Sequence, residues 1–237
     1  MSGKSSRAAF FDVDETVITA KSMLSFLYHW SNRTGAGPAA YHEAVDQLHA
    51  LAAAGADRSE ANRSYYRRFA GVSYSHLLNE GRAWYADYRR RPDAFVTATI
   101  EAIRRHRDAD VTVVLVSGSF RPCLEPLAEE IRADLVLGTE PLVGPHGLLT
   151  GEVVRPMIGE MKALAVVETI DALGLDADQC AAYGDHISDL DMLLKVGRPH
   201  VVGNDSVLAQ HARRHGWPLL SAASGPGPQD VHPGPLS

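Results

Sequence analysis

Asp12 and Asp14 close a short apolar run, Ala8-Ala9-Phe10-Phe11, and stand two residues apart in Asp12-Val13-Asp14-Glu15-Thr16. In an extended chain such a pair projects to the same side. Two carboxylates so placed repel unless a proton or a cation relieves them. A second acidic pair, Asp185 and Asp189, lies in Gly184-Asp185-His186-Ile187-Ser188-Asp189, after the apolar run Cys180 to Tyr183. Between the pairs, Ser117-Gly118-Ser119 offers a hydroxyl and open backbone amides suited to holding phosphate oxygens. Lys162 heads a helical segment. Several aspartates around one point, with few His and no Cys, describe a hard oxygen site for Mg2+.

The elements that must position these residues alternate. Ala8 to Asp14 and Val111 to Val116 read as strands, and the second is β-branched without alternation, as in a parallel strand covered on both faces. Leu135 to Leu137, Cys180 to Tyr183 and His200 to Val202 are shorter strands of the same kind, with helices predicted over Asp93–His106, Pro122–Ile131 and Lys162–Leu173. This is the pattern of an α/β fold with a doubly wound, Rossmann-like parallel sheet, whose ligands sit at the carboxyl ends of the strands. Residues 21–91 break the alternation with helices predicted over Ser22–Trp30, Ala39–Ala54, Ser59–Phe69 and Ser75–Arg90, a small inserted four-helix cap. The expected division is a core of residues 1–20 and 92–220, a cap of 21–91 hinged near 17–22 and 90–93, and a disordered Gly/Pro/Ser-rich tail over 221–237. Leu142 to Val154 reads as a hairpin on the sheet edge.

Composition narrows the function class. The 237 residues carry a net charge of -6 with no basic patch, which argues against nucleic acid as a partner. No apolar run reaches bilayer length and none of signal-peptide length follows Met1 to Arg7, so no membrane partner and a cytoplasmic setting are expected. Cys123 and Cys180 have no partner-like spacing and read as free thiols in or near the core. The chain has 19 Arg but only 4 Lys, which draws attention to Lys21, Lys162 and Lys195. Nothing in the sequence chooses between monomer and homodimer.

Asp12-Val13-Asp14-Glu15-Thr16, Ser117-Gly118-Ser119, Lys162 and Gly184-Asp185-His186-Ile187-Ser188-Asp189 resemble, in order, the four motifs of the haloacid dehalogenase-like superfamily. Ser117 to Arg121, the 23-residue step from Lys162 to Asp185 and the helical insertion resemble its phosphoserine-phosphatase branch, over about residues 8–204. The resemblance implies a Mg2+-dependent hydrolase of a small-molecule phosphate monoester, working through an aspartyl-phosphate. It makes Asp12 the nucleophile and Asp14 the general acid, then base. The metal would be held by Asp12, the Asp14 carbonyl, Asp185 directly, and Asp189 through water or as an orienter of the other ligands. Ser117, Gly118 and Lys162 would hold the phosphate, with Thr16 bracing the first loop and Ser188 within reach of a substrate oxygen.

Departures bear on the substrate. The branch carries a glutamate nine residues after the nucleophile, where it receives the substrate ammonium; here that position is Lys21. A cation there repels an amine and accepts a carboxylate, a second phosphate or a neutral polyol, so phosphoserine is expected to be a poor substrate. Arg58, Arg63, Arg67 and Arg68 could add anion contacts, and sequence alone does not rank them. Glu15 and His186 replace more usual small residues. Asp191 reads as a first-turn helix acid, and Trp30, Trp84, Tyr65, Tyr66, Tyr85 and Tyr88 as insertion core. The alternatives are a phosphotransferase or mutase of the same chemistry and a non-catalytic phospholigand-binding protein. The paired acids speak against the last, because a binding module needs no spare acid beside a nucleophile.

Overall fold

A computed structural model describes residues 6–228. Strand β1 (Ala8–Phe11) is followed by helices α1 (Ser22–Arg33), α2 (Gly37–Ala53), α3 (Arg58–Arg67) and α4 (Tyr74–Tyr88), each within three residues of its predicted bounds. The chain returns through β2 (Phe95–Val96) into α5 (Thr97–Asp108), β3 (Thr112–Ser117), α6 (Arg121–Ile131) and β4 (Leu135–Gly138). A hairpin of β5 (Glu140–Val143) and β6 (Leu149–Arg155) leads into α7 (Glu160–Leu173) and β7 (Ala181–Gly184). The short α8 (Leu190–Leu193), β8 (Arg198–Val202), α9 (Ser206–His215), β9 (Leu219–Leu220) and β10 (Ser224–Gly225) complete the described chain.

Six strands form one parallel sheet in the order β4-β3-β1-β7-β8-β9, the doubly wound α/β architecture expected. Chain direction across the sheet reverses at β1, which is central. Alternate residues of the buried strands feed two cores. Phe11, Val113, Leu115 and Tyr183 face α1, α3, α4, α5 and α6, whereas Phe10, Val114, Val116 and Ala182 face α7, α8 and α9. Cys123 and Cys180 are both buried and free, one on each side.

The inserted helices share the first core instead of forming a separate one. Phe120, next to the Ser117-Gly118-Ser119 loop, packs its ring against Phe26, Tyr65, Tyr66 and Phe69 at centroid distances of 5.3–6.2 Å. Trp84, Tyr85 and Tyr88 are also buried there, and Trp30 packs at its edge. Each buried tyrosine hydroxyl has a partner: Tyr65 donates to the Met23 carbonyl, Tyr66 to that of Gly118, Tyr85 to Glu130 and Tyr88 to the carbonyl of Ala94.

Three expectations are corrected. The hairpin does not extend the central sheet: β5 and β6 pair only with each other, and Leu149 is seated against the insertion, where the Gly71 amide donates to its carbonyl and its own amide donates to Val72. Its partner is the α3–α4 connection. The tail is ordered as far as it is described. Ser224 and Gly225 pair antiparallel with Val96 and Phe95, and the Thr97 amide donates to Ala223; residues 229–237 lie outside the described part. The helix predicted from Asp93 starts at Thr97, since Phe95 and Val96 are held extended between Ile18 and that C-terminal segment.

Candidate active site

Sheet register brings the motifs together. Phe11 pairs with Leu115 on one side and with Tyr183 on the other, so Asp12, Ser117 and Asp185 all emerge at the same carboxyl edge. The strand ends at Phe11, three residues earlier than full extension to Asp14 would require. The Asp12 amide still bonds to the Tyr183 carbonyl at 2.9 Å, after which Val17 and Ile18 turn back onto the Val13 carbonyl. Glu15 sits at the apex with φ 60°, a left-handed conformation that favours glycine and accounts for the small residue more usual there.

Carboxylate oxygens of Asp12, Asp185 and Asp189 lie within 4.8 Å of one another. Lys162, from the first turn of α7, reaches into this group with its Nζ 2.6 Å from Asp12 and 2.7 Å from Asp189. Asp12, Asp189 and Lys162 are 7%, 1% and 5% exposed, so their charges are weakly screened. Burial raises the Asp12 carboxyl well above the usual carboxylate range; Lys162 opposes this, and Asp189 and Asp185 add to it. Asp185 is pushed up to about 6 by burial and by Asp189, although Thr16 Oγ1 donates to it at 2.8 Å. Burial alone would lower the Lys162 ammonium, but Asp12 and Asp189 hold it above its usual range.

One ammonium facing three carboxylates leaves the cluster short of positive charge, and the donors nearest one another are all oxygen. This set fits a hard divalent cation. The Asp14 carboxyl lies outside the set. Its Oδ1 is buried without a hydrogen-bond partner, and burial raises it to about 7 despite the nearby Ser22.

Close approach around Asp189 depends on Gly184. A Cβ there would lie 2.7 Å from the Asp189 Cβ and 2.9 Å from its Oδ2. Asp189 also accepts from the His186 amide at 3.3 Å, while His186 Nδ1 accepts from the Ser188 amide at 3.1 Å, a reciprocal cap that shapes the loop. Asp191 is exposed on α8, outside the cluster.

Opposite the carboxylates, Ser117 is buried and its Oγ accepts from the Ser119 amide at 3.1 Å, which leaves its own proton to donate. Three donors converge on the Gly118 carbonyl: Asn62 and Thr139, each at 2.8 Å, and Tyr66 at 3.2 Å. Ser22 donates to Ser119 at 2.8 Å. Helices α1 and α3 are thus tied to this loop by Ser22, Asn62 and Tyr66, none of which is distinguishable by sequence. Asn62 carried one faint signal, a poor helix former in mid-helix.

A cavity of about 270 Å³ opens over the site and takes in Asp12, Asp14, Ser117, Gly118, Lys162, Asp185, Ser188 and Asp189. Lys21 is at its mouth, exposed, with its Nζ 3.5 Å from Glu15. Of Arg58, Arg63, Arg67 and Arg68 only Arg58 lines it, Nη1 lying 2.9 Å from His186 Nδ1. Arg63 turns to the Val153 carbonyl, Arg67 to Glu60 and Arg68 to Gln47.

Such a sheet-edge site, with carboxylates, a buried lysine and a serine–glycine loop converging under a helical insertion, is the architecture of an α/β phosphoryl-transfer enzyme. Residues 9–194 match the haloacid dehalogenase-like hydrolases, and the chain belongs to that family. Within it the chain is a phosphatase. It is 31% identical over 230 residues to a probable phosphatase of Mycobacterium tuberculosis, covering 90% of this chain and 75% of that one. It is 36% identical over 220 residues to a Streptomyces azureus protein named for inhibition of morphological differentiation, covering 90% and 77%. A substrate-bound phosphoserine phosphatase has the same fold, with a TM-score of 0.67 at 16% identity over 92% of this chain and 94% of that one. Among the described residues no helix is long and apolar enough to cross a membrane.

Proposed function

We propose that the protein hydrolyses small phosphate monoesters in two steps through an aspartyl-phosphate on Asp12, with Mg2+ as cofactor, and that phosphoserine is not its substrate. The observation that carries this reading is the buried bridge of Lys162 between Asp12 and Asp189, beside a second carboxyl, Asp14, that has an unpartnered oxygen. A purely structural ion pair needs no such neighbour.

Asp12 attacks phosphorus as the bond to the leaving oxygen breaks, and Asp14 gives that oxygen its proton. Asp14 then takes a proton from the water that attacks the aspartyl-phosphate, releasing phosphate and restoring Asp12. A carboxyl held at about 7 is suited to both directions. The Ser117 hydroxyl and the Gly118 amide hold non-bridging oxygens, and Lys162 offsets their charge. Asp12, Asp185, Asp189 and the Asp14 carbonyl would hold the Mg2+, which when bound supplies positive charge that the lysine alone does not. Thr16 keeps Asp185 in place, and Ser188 stands at the substrate side of the loop.

Phosphoserine is disfavoured by charge. Apart from the aspartates of the reaction centre, the carboxylate lining the cavity is Glu15, and Lys21 already faces it. No free acid remains for a substrate ammonium. The test is phosphate release from a panel of monoesters with Mg2+, together with Asp12→Asn. Activity retained by that variant overturns the mechanism; phosphoserine leading the panel overturns the substrate assignment. Transfer to an added alcohol in place of phosphate release would mark a phosphotransferase.

A further inference from the structure

Beyond the phosphate-holding groups, five apolar side chains line the cavity beside a polar rim that includes Glu15, Lys21, Arg58 and His186. Met23 and Leu24 come from α1, Leu48 from α2, Ala61 from α3, and Ile158 from the loop before α7. None of the five is fully buried, so each keeps apolar surface open to the cavity. Helix α2 makes the point most clearly. Ala44 is its one fully buried residue, yet Leu48, one turn on, faces the cavity.

Most polar groups on this side are engaged with one another. Asn62 gives its amide to the Gly118 carbonyl; its oxygen has no hydrogen-bond partner but is buried out of contact with solvent. Tyr65 donates to Met23, Ser22 to Ser119, Arg58 to His186, and Lys21 faces Glu15. The Arg58 contact is well defined. The Ser188 N–H makes Nδ1 of His186 an acceptor, and Arg58 Nη1, 2.9 Å away, shares that single lone pair. A sugar or polyol entering this space would exchange water for partners that are already taken, which costs binding free energy for each stranded hydroxyl. A hydrocarbon would lose nothing and would cover the open carbon surface.

Resting on the phosphatase reading above, we infer that the preferred substrates are phosphate monoesters of apolar alcohols, with a short aliphatic or aromatic body against Met23, Leu24, Leu48, Ala61 and Ile158. Arg58 and Lys21 stand at the rim, beyond that body, where the substrate meets solvent. The insertion acts as a carbon-lined sleeve over a phosphate site, and its selectivity is for what the alcohol lacks.

The experiment is a chain-length series with the full-length enzyme and Mg2+: ethyl, propyl, butyl and pentyl phosphate, compared with glycerol phosphate and a sugar phosphate. Burying one methylene predicts a rise of about fourfold in kcat/KM per carbon until the cavity is filled. Alkylphosphonates, which are not hydrolysed, should compete with an inhibition constant that falls by the same factor per carbon, a readout that does not depend on turnover. Leu48→Asn and Ile158→Asn should each flatten both slopes. A flat series, or glycerol phosphate outrunning butyl phosphate, with phosphate release still dependent on Asp12, overturns the inference and leaves the phosphatase reading standing. Absence of Asp12-dependent release from every ester tested overturns both.

Discussion

Replacing Lys162 with methionine tests the electrostatic account of the site. The methionine keeps length and apolar stem but removes the ammonium held 2.6 Å from Asp12 and 2.7 Å from Asp189. Three carboxylates then remain within 4.8 Å of one another, two of them almost fully buried, with no cation among them. Removing one partner of a buried charge pair costs about 3–5 kcal/mol, because the remaining charge keeps its desolvation penalty and loses its compensation. For a domain of this size that is a fall in Tm of about 6–20 °C. The pH dependence has a definite sign. Asp12 already titrates above the usual carboxylate range, and losing Lys162 raises it further. The folded variant therefore holds a proton that the unfolded chain has released, so its stability falls as pH rises through that interval and recovers toward about pH 5. The assay is urea unfolding followed by tryptophan fluorescence at several pH values, in the presence of a chelator. A loss below about 1 kcal/mol at neutral pH, or one that does not shrink on acidification, would refute the claim that Lys162 makes the cluster tolerable. Activity should fall by about a hundredfold or more, since the same charge serves the transferring phosphoryl group.

Three further predictions follow from particular contacts. Mg2+ at about a hundred times its Kd should stabilise the wild type by about 2.7 kcal/mol in a thermal-shift assay, and Asp185→Asn should lose most of that gain while remaining folded. Gly184→Ala forces its new methyl to within 2.7 Å of the Asp189 side chain, so the variant should fold with a cost of about 1–3 kcal/mol and lose at least tenfold in kcat. His106 is brought down to about 4 by burial and by nearby positive charge, with its Nε2 2.9 Å from the Tyr183 hydroxyl. Because the unfolded chain takes up this proton first, stability should drop as pH falls from about 6.5 to 4, by about 1–3 kcal/mol after allowing for partial exposure. His106→Gln should remove that part of the acid limb in denaturant titrations, and an unchanged limb would count against it.

What the sequence determined by itself was the chemistry and the framework that presents it. Asp12, Asp14, Ser117 and Asp185 stand at the ends of short apolar runs and Lys162 at the head of a helical segment, and strand and helix periods are local properties of the chain. Once those runs become adjacent parallel strands, register alone delivers their carboxyl ends to one edge. The helices of the insertion were legible for the same reason, each within three residues. Tertiary structure alone decided what depends on contacts between distant parts of the chain. It seated the β5–β6 hairpin on the insertion, paired Ser224 and Gly225 with the return strand, and turned Arg58 but not Arg63, Arg67 or Arg68 toward the cavity. It matched Lys21 with Glu15, so that the substituted position is no lone cation, and it fixed Glu15 itself in a left-handed turn. It also tied Ser22, Asn62 and Tyr66 to a loop 52–97 residues away and left Met23, Leu48 and Ile158 facing the substrate space. An exposed arginine, a mid-helix asparagine or a surface leucine has the same local signature wherever it points. Its partner is chosen only when the helices dock.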